Sequence, residues 1–276
     1  MSPFELAEPA SLPEAIALLG TENARPLSGG TALMLMMKAG VLRPERLVSL
    51  RKLGLDEIRA EGELRIGAMA SLRALERAAP VKAGWPAITR ALRTLSNVRV
   101  RNVATVGGAL AHADPHMDLP PLMMALNAQV TITGPAGERR VPVEALYAGY
   151  LENTLARNEL ITQVTIPAMG KRRAAYLKCT TRSADDWPAV GIAVLIDGDE
   201  VSIVLGAATD RPTRLLSAER LLKGRAGDPK AVKDAAEAAA EEARIDGDLH
   251  GSAAYKKQLV RVYLQRTLHE ARRAIH

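Results

Sequence analysis

The chain has 276 residues, 47% hydrophobic and 25% charged, with 37 Lys and Arg against 31 Asp and Glu for a net charge of +6. That composition belongs to globular proteins large enough for a sizeable core, and the length suggests about two domains. The lone cysteine, Cys179, excludes an internal disulfide and any iron–sulfur cluster held by this chain alone.

No run approaches the ~18 consecutive apolar residues of a membrane span, and the acidic start MSPFELAEPAS does not resemble a secretory signal. A cytoplasmic location is expected. Only one Phe, two Trp and five Tyr are present, so aliphatic side chains and nine Met must fill the core. The densest basic groups, Arg90, Arg93, Arg99 and Arg101 and then Lys171-Arg172-Arg173, lack an accompanying set of stacking aromatics. A partner protein or the phosphates of a ligand account for them better than nucleic acid.

In chain order, Ser11-Leu12-Pro13-Glu14 predicts a helix running to Gly20, with Ser as cap, Pro early and Glu returning to the cap. A short strand at 25–27 precedes a first Gly-Gly loop. Residues 32–38 read as a helix stopped by Gly40, with its methionines in the core, and 45–50 read as a strand. A strand at 64–68 and helices at 71–79 and 85–95 follow. A second Gly-Gly loop then opens a compact, irregular stretch over 107–121, leading into a short apolar helix at 122–126. Residues 129–133 and 138–143 form a hairpin about Gly134-Pro135-Ala136-Gly137, and 159–166 is a strand ended by Pro167. Beyond a basic linker at 170–173, strands at 174–180, 190–196 and 201–205 are antiparallel, with Asp197-Gly198-Asp199 as a tight turn. Helices at 213–223, 229–243 and 252–274 complete the chain; the last keeps a stripe from Leu259 to Ala271 at helical spacing.

The chemistry concentrates in the two glycine pairs, Ser28-Gly29-Gly30-Thr31 and Thr105-Val106-Gly107-Gly108. Each follows a short apolar run and is flanked by hydroxyl residues. Glycine lets backbone N–H groups approach a ligand, and N–H groups converging at a turn bind anions. Two such loops gripping one diphosphate from two sides point to a dinucleotide. No GxGxxG, no GxxxxGK[ST] and no nucleophile elbow is present, so the grip is neither Rossmann nor P-loop in kind. Between Thr105 and Pro120 lie His112, Asp114, His116 and Asp118. Pro115 makes the regular helix that would unite them on a metal unfavourable. Asp114 and Asp118 either satisfy loop N–H groups, or Asp118 takes a ribose or ribityl hydroxyl.

Leu27-Ser-Gly-Gly-Thr-Ala-Leu-Met34, followed by Lys38, resembles the first FAD loop of the flavoprotein subunits of molybdenum hydroxylases. Val100-Arg-Asn-Val-Ala-Thr-Val-Gly-Gly108 and Ala111-His-Ala-Asp-Pro115 resemble their second loop. Leu160-Ile-Thr-Gln-Val-Thr-Ile-Pro167 resembles a strand of the same family. Tyr176-Leu-Lys178 and Arg182-Ser-Ala-Asp-Asp-Trp187 resemble the segment beside the flavin ring, and 255–271 the C-terminal helix. The motifs span nearly the whole chain in the family's order.

The resemblance implies an α+β protein: a two-part PCMH-type FAD-binding region, 1–54 and 55–168, followed by a C-terminal domain of antiparallel strands and helices, 169–276. It implies FAD held by Leu27, Ser28, Gly29, Gly30, Thr31, Ala32 and Leu33 of the first loop, and by Thr105, Gly107, Gly108, Ala109, His112, Asp114 and Asp118 of the second. Leu160, Ile161, Lys178 and Trp187 complete that set. It implies no catalytic side chain and no metal ligand. The expected partners are a large subunit with the molybdenum cofactor and a small one with two [2Fe–2S] clusters, in a dimer of heterotrimers. Electrons from the clusters would pass through FAD to an external acceptor. Ala109 departs from the polar residue common in the family, Ser28 from Ala, and Trp187 from Tyr. Two alternatives stay open: a self-sufficient FAD-dependent oxidoreductase using His112 or His116 as acid or base, and a flavin-free structural subunit.

Overall fold

Ser11 caps α1 (Leu12–Leu19) as the sequence predicts. Its hydroxyl accepts from the Glu14 N–H at 3.4 Å, and the Glu14 carboxylate accepts from the Ala10 N–H at 2.9 Å. The computed structural model describes residues 2–274. Beside α1 lie three short parallel strands, β1 (Glu5–Ala7), β2 (Ala24–Leu27) and β3 (Arg46–Ser49), in the order β1-β3-β2. Helix α2 (Leu33–Lys38) crosses from β2 to β3 and ends at Gly40, whose φ of +73° is left-handed. Strand β1 eluded the sequence reading because three residues between Pro3 and Pro9 carry no periodic signal. The methionines of α2 divide: Met37 is buried, whereas Met36 faces a groove described below.

The second sheet is antiparallel and has the order β4-β5-β10-β6-β7. Its strands are β4 (Ile58–Glu61), β5 (Glu63–Gly67), β6 (Gln129–Gly134), β7 (Gly137–Pro142) and β10 (Leu160–Ile166). A small ribbon, β8 (Tyr147–Gly149) with β9 (Glu152–Asn153), precedes β10. Between β5 and β6 the chain makes α3 (Leu72–Arg77), α4 (Ala79–Gly84), α5 (Pro86–Thr94), α6 (Val98–Val103), α7 (Val106–Ala111) and α8 (Leu119–Ala125). The stretch expected to be irregular from Gly107 is therefore helical from Val106. Thr105 makes it so, its Oγ1 accepting from the Gly108 N–H at 3.1 Å as an N-cap. The two prolines of α8 fall in its first turn, where no N–H is missed.

The third sheet, β11 (Arg173–Thr180), β12 (Pro188–Asp197), β13 (Glu200–Gly206) and β14 (Thr213–Arg214), is an antiparallel meander. It is buried on both faces. Alternate residues Ala193, Leu195 and Val204 join the core of the second sheet, while Ile192, Val194 and Ile203 face α9 (Leu216–Leu222), α10 (Pro229–Glu242) and α11 (Ala253–Arg273). Central strands covered on both sides read as continuous apolar runs, as β12 does. Among the described residues no helix is long and apolar enough to cross a membrane.

Candidate functional site

The two glycine loops meet. A Cβ on Gly29 would lie 2.2 Å from the Val103 carbonyl oxygen, one on Gly107 2.6 Å from the Ala68 Cβ, and one on Gly108 2.6 Å from the Ser28 Oγ. Three of the four glycines thus permit chain to approach chain. Only Gly30, at φ +69°, needs the left-handed conformation.

The loops differ in what they offer a ligand. At α7 the N–H groups are used internally: Val106 donates to Ala70 O, Gly107 to Ala68 O, Gly108 to Thr105 Oγ1 and Ala109 to Thr105 O. From Ser28 to Leu33, by contrast, no N–H group donates to an acceptor among the described residues. These successive donors lead into the N-terminus of α2 and line a groove of about 510 Å³. Unpartnered N–H groups at a helix start are an anion site. The first loop therefore offers free donors, and the second braces it.

The groove brings together Ser28, Gly29, Gly30, Thr31, Ala32 and Leu33 with Thr105, Gly107, Gly108, Ala109, His112, Leu160 and Ile161. Met36, Leu42, Met69, Met117 and Leu155 add apolar wall, and Arg25 and Arg157 add cations that form no ion pair among the described residues. These seven were missed from sequence; Leu155 and Arg157 reach the groove only because the fold carries the 151–157 segment onto it. Asn153 fixes it there, donating to Ala111 O at 2.6 Å and accepting from the Leu155 N–H at 3.0 Å. His112 is half-buried in the wall. Burial lowers its pKa, the Asp114 charge only partly opposing this, so the ring is neutral at pH 7.

The other expected residues lie off the groove lining. Leu27 ends β2 and accepts from the Leu50 N–H. Asp118 is 7% exposed, and its two oxygens accept from Tyr176 Oη at 2.6 Å and Lys178 Nζ at 2.9 Å. Lys178, 5% exposed, also donates to Asp186 O. Burial pushes the Asp118 pKa up, and Lys178 and Tyr176 oppose it. Asp118 thus has a protein donor on each oxygen. Asp114 accepts from the His116 N–H at 2.9 Å, the loop role open to it from sequence, and from the His116 ring at 3.1 Å. The other ring nitrogen meets Asp248 Oδ2 at 2.8 Å, which also accepts from the buried Lys256 at 2.7 Å. The indole of Trp187, 43% exposed, stands edge-on to His116 at 5.7 Å. Among the described residues no group of three or more His, Cys, Asp or Glu is placed to hold a metal ion.

A row of free N–H groups, two unpaired arginines and long aliphatic walls fit an anionic diphosphate carrying apolar flat rings, as FAD does. Residues 2–169 match the model of the FAD binding domain in molybdopterin dehydrogenase, and residues 175–271 that of the CO dehydrogenase flavoprotein C-terminal domain. The chain is 34% identical to the carbon monoxide dehydrogenase medium chain of Hydrogenophaga pseudoflava, across 97% of this chain and 96% of that one. It is 31% identical to the nicotine 6-hydroxylase medium subunit of Paenarthrobacter nicotinovorans, across 96% of each. A solved structure of the Hydrogenophaga pseudoflava carbon monoxide dehydrogenase superposes with a TM-score of 0.94 over 99% of both chains, at 34% identity. Quinoline 2-oxidoreductase from Pseudomonas putida 86 gives 0.92 over 99% of this chain and 98% of that one, at 30% identity. The chain belongs to the FAD-binding flavoprotein subunits of the molybdopterin dehydrogenases, the medium subunits of molybdenum hydroxylase complexes.

Proposed function

We propose that this subunit takes electrons from the [2Fe–2S] clusters of a small partner subunit and passes them to an external acceptor, while a large partner subunit holds the molybdenum cofactor and the substrate. The full assembly is a dimer of such heterotrimers in the cytoplasm. FAD supplies the redox chemistry; the protein supplies position and electrostatics. The observation that carries the reading is the row of unpartnered N–H groups from Ser28 to Leu33, opening on a groove flanked by Arg25 and Arg157. Those donors hold the diphosphate. Leu155, Leu160, Ile161, Met36 and Leu42 exclude water from its apolar flanks. Thr105, Gly107, Gly108 and Ala109 brace the donor loop, and neutral His112 adds a polar atom to the wall without adding charge. Asp118 holds Lys178, and His116 holds Trp187, at the junction with the C-terminal sheet, where we assign the ring end of the site. Residues 1–54 and 55–168 form the two parts of the FAD-binding region, and 169–276 the C-terminal domain.

The test is purification of the chain alone and with its co-expressed partner subunits. The expected result is one releasable FAD per chain and recovery of two further subunits. A chain that carries FAD but turns over substrate unaided would favour the self-sufficient reading. A colourless chain would favour the flavin-free one.

A further inference from the structure

Among the described residues the largest fully buried side chain is a charged one. Lys256, in the first turn of α11, is 1% exposed. Burying an ammonium is costly unless it is paired and hydrogen-bonded, and a methionine would fill about the same space without that cost. Its Nζ donates to two acceptors, Asp248 Oδ2 at 2.7 Å and Ala207 O at 3.0 Å. Both lead to His116. Asp248 Oδ2 also meets the His116 ring at 2.8 Å, and Ala207, left-handed at φ +66°, donates its N–H to Pro115 O at 2.9 Å. The second Asp248 oxygen is fixed by the His250 N–H at 2.8 Å. His116 is in turn the one aromatic neighbour of the Trp187 indole among the described residues, 5.7 Å away and inclined by 62°. The Trp187 backbone is held separately: its N–H donates to Asp186 Oδ1 at 3.0 Å, and the Asp186 carbonyl accepts from Lys178.

We infer that Lys256 is a positioning residue for the ring end of the flavin site. From inside α11 it fixes Asp248 and Ala207, these fix His116, and His116 fixes the Trp187 indole. This rests on the placing of the ring end at Trp187 above. A buried ammonium could instead act on His116 by charge alone, through space, and the two roles differ in sign. Burial works against the His116 imidazolium; Asp114 and Asp248 overcome it and raise its pKa. The groups around the ring are Asp114 on its own loop, Asp248 and His250 before α11, Lys256 behind Asp248, and Asp186 on the loop from β11 to β12. Removing a cation that acts only through space raises the His116 titration midpoint further. Removing one that holds Asp248 in place releases a carboxylate from the ring, and the midpoint falls.

The experiment follows Trp187 emission against pH in the full, flavin-free chain, with Trp85→Phe throughout. An imidazolium quenches an adjacent indole, so the step that His116→Gln removes is the His116 titration. In Lys256→Met the step is expected to move to lower pH, toward its place in Asp248→Asn. Lys257→Met, one residue on and paired with Glu241, should leave it as in wild type. Titrated with FAD, the Lys256→Met chain should bind it about tenfold more weakly. Lys256→Gln, which keeps an N–H donor at the site, serves if Lys256→Met does not fold. A step that stays in place or moves to higher pH overturns the inference. So does a downward step with wild-type FAD affinity and wild-type quenching of Trp187 by FAD, because Lys256 would then act on His116 alone. If FAD leaves Trp187 emission unchanged in the wild-type chain, the ring-end placement falls first, and the positioning role with it.

Discussion

Gly29→Ala isolates the contact on which the groove depends. The new Cβ would lie 2.2 Å from the Val103 carbonyl oxygen, 2.8 Å from its carbon and 2.9 Å from the Ala104 Cα, where real Cβ contacts stay beyond 3.0 Å. All three obstacles are backbone, so no rotamer change relieves them. The loop and the end of α6 must separate, and overpacking of this kind costs about 1–3 kcal/mol. If FAD binding must close that gap again, its affinity falls by about 5- to 150-fold. Titration of apoprotein with FAD, followed by flavin fluorescence, measures the affinity, and thermal unfolding measures the stability. Gly84→Ala is the control: nothing lies within 4 Å of its added Cβ, and it should be neutral or stabilising by at most about 1 kcal/mol. Wild-type affinity and melting temperature in Gly29→Ala would refute the claim that this glycine is required by loop contact.

Three further outcomes are expected. Burial lowers the His116 pKa, but Asp114 and Asp248 together overcome this and raise it above 6.5, so protonation stabilises the fold. That stability is complete below the unfolded-state pKa and is lost as pH rises through the folded one, so wild type should lose melting temperature relative to His116→Gln between about pH 6 and 9; parallel curves would contradict it. Asp118→Ala strands the buried Lys178 ammonium and should cost about 3–5 kcal/mol, with Asp118→Ala/Lys178→Met costing less than the sum of the single changes in chemical denaturation; strict additivity would remove the coupling. In a Trp85→Phe background, Trp187 emission should be quenched by bound FAD and recover when the flavin is stripped, and unchanged emission would move Trp187 away from the ring.

The sheets and long helices were legible because local rules determine them. Ser11 caps α1, Gly198 at φ +58° turns β12 into β13, and the α11 stripe keeps its period. The short elements were not. Val98–Val103 is rich in β-branched residues and forms α6 because the Asn97 side chain accepts from the N–H groups of Arg99 and Val100. Strand β4 gains its register only by pairing with β5. Both glycine loops were recognised, but their division of labour was not, since it depends on Ala68 and Ala70 taking the N–H groups of α7. Asp118 shows the same limit: its donors, Tyr176 and Lys178, arrive from a different sheet and carry no local signal in the sequence.

The role proposed for this subunit is to relay electrons from a cluster-bearing partner. Its most direct test mixes the purified, oxidised FAD-loaded chain with the iron–sulfur subunit, reduced beforehand and freed of reductant, under anaerobic conditions in a stopped-flow spectrometer. Flavin absorbance is expected to bleach as the cluster spectrum returns to its oxidised form, in stoichiometric proportion. Clusters that stay reduced beside a flavin that stays oxidised, in a complex shown to have assembled, would contradict it.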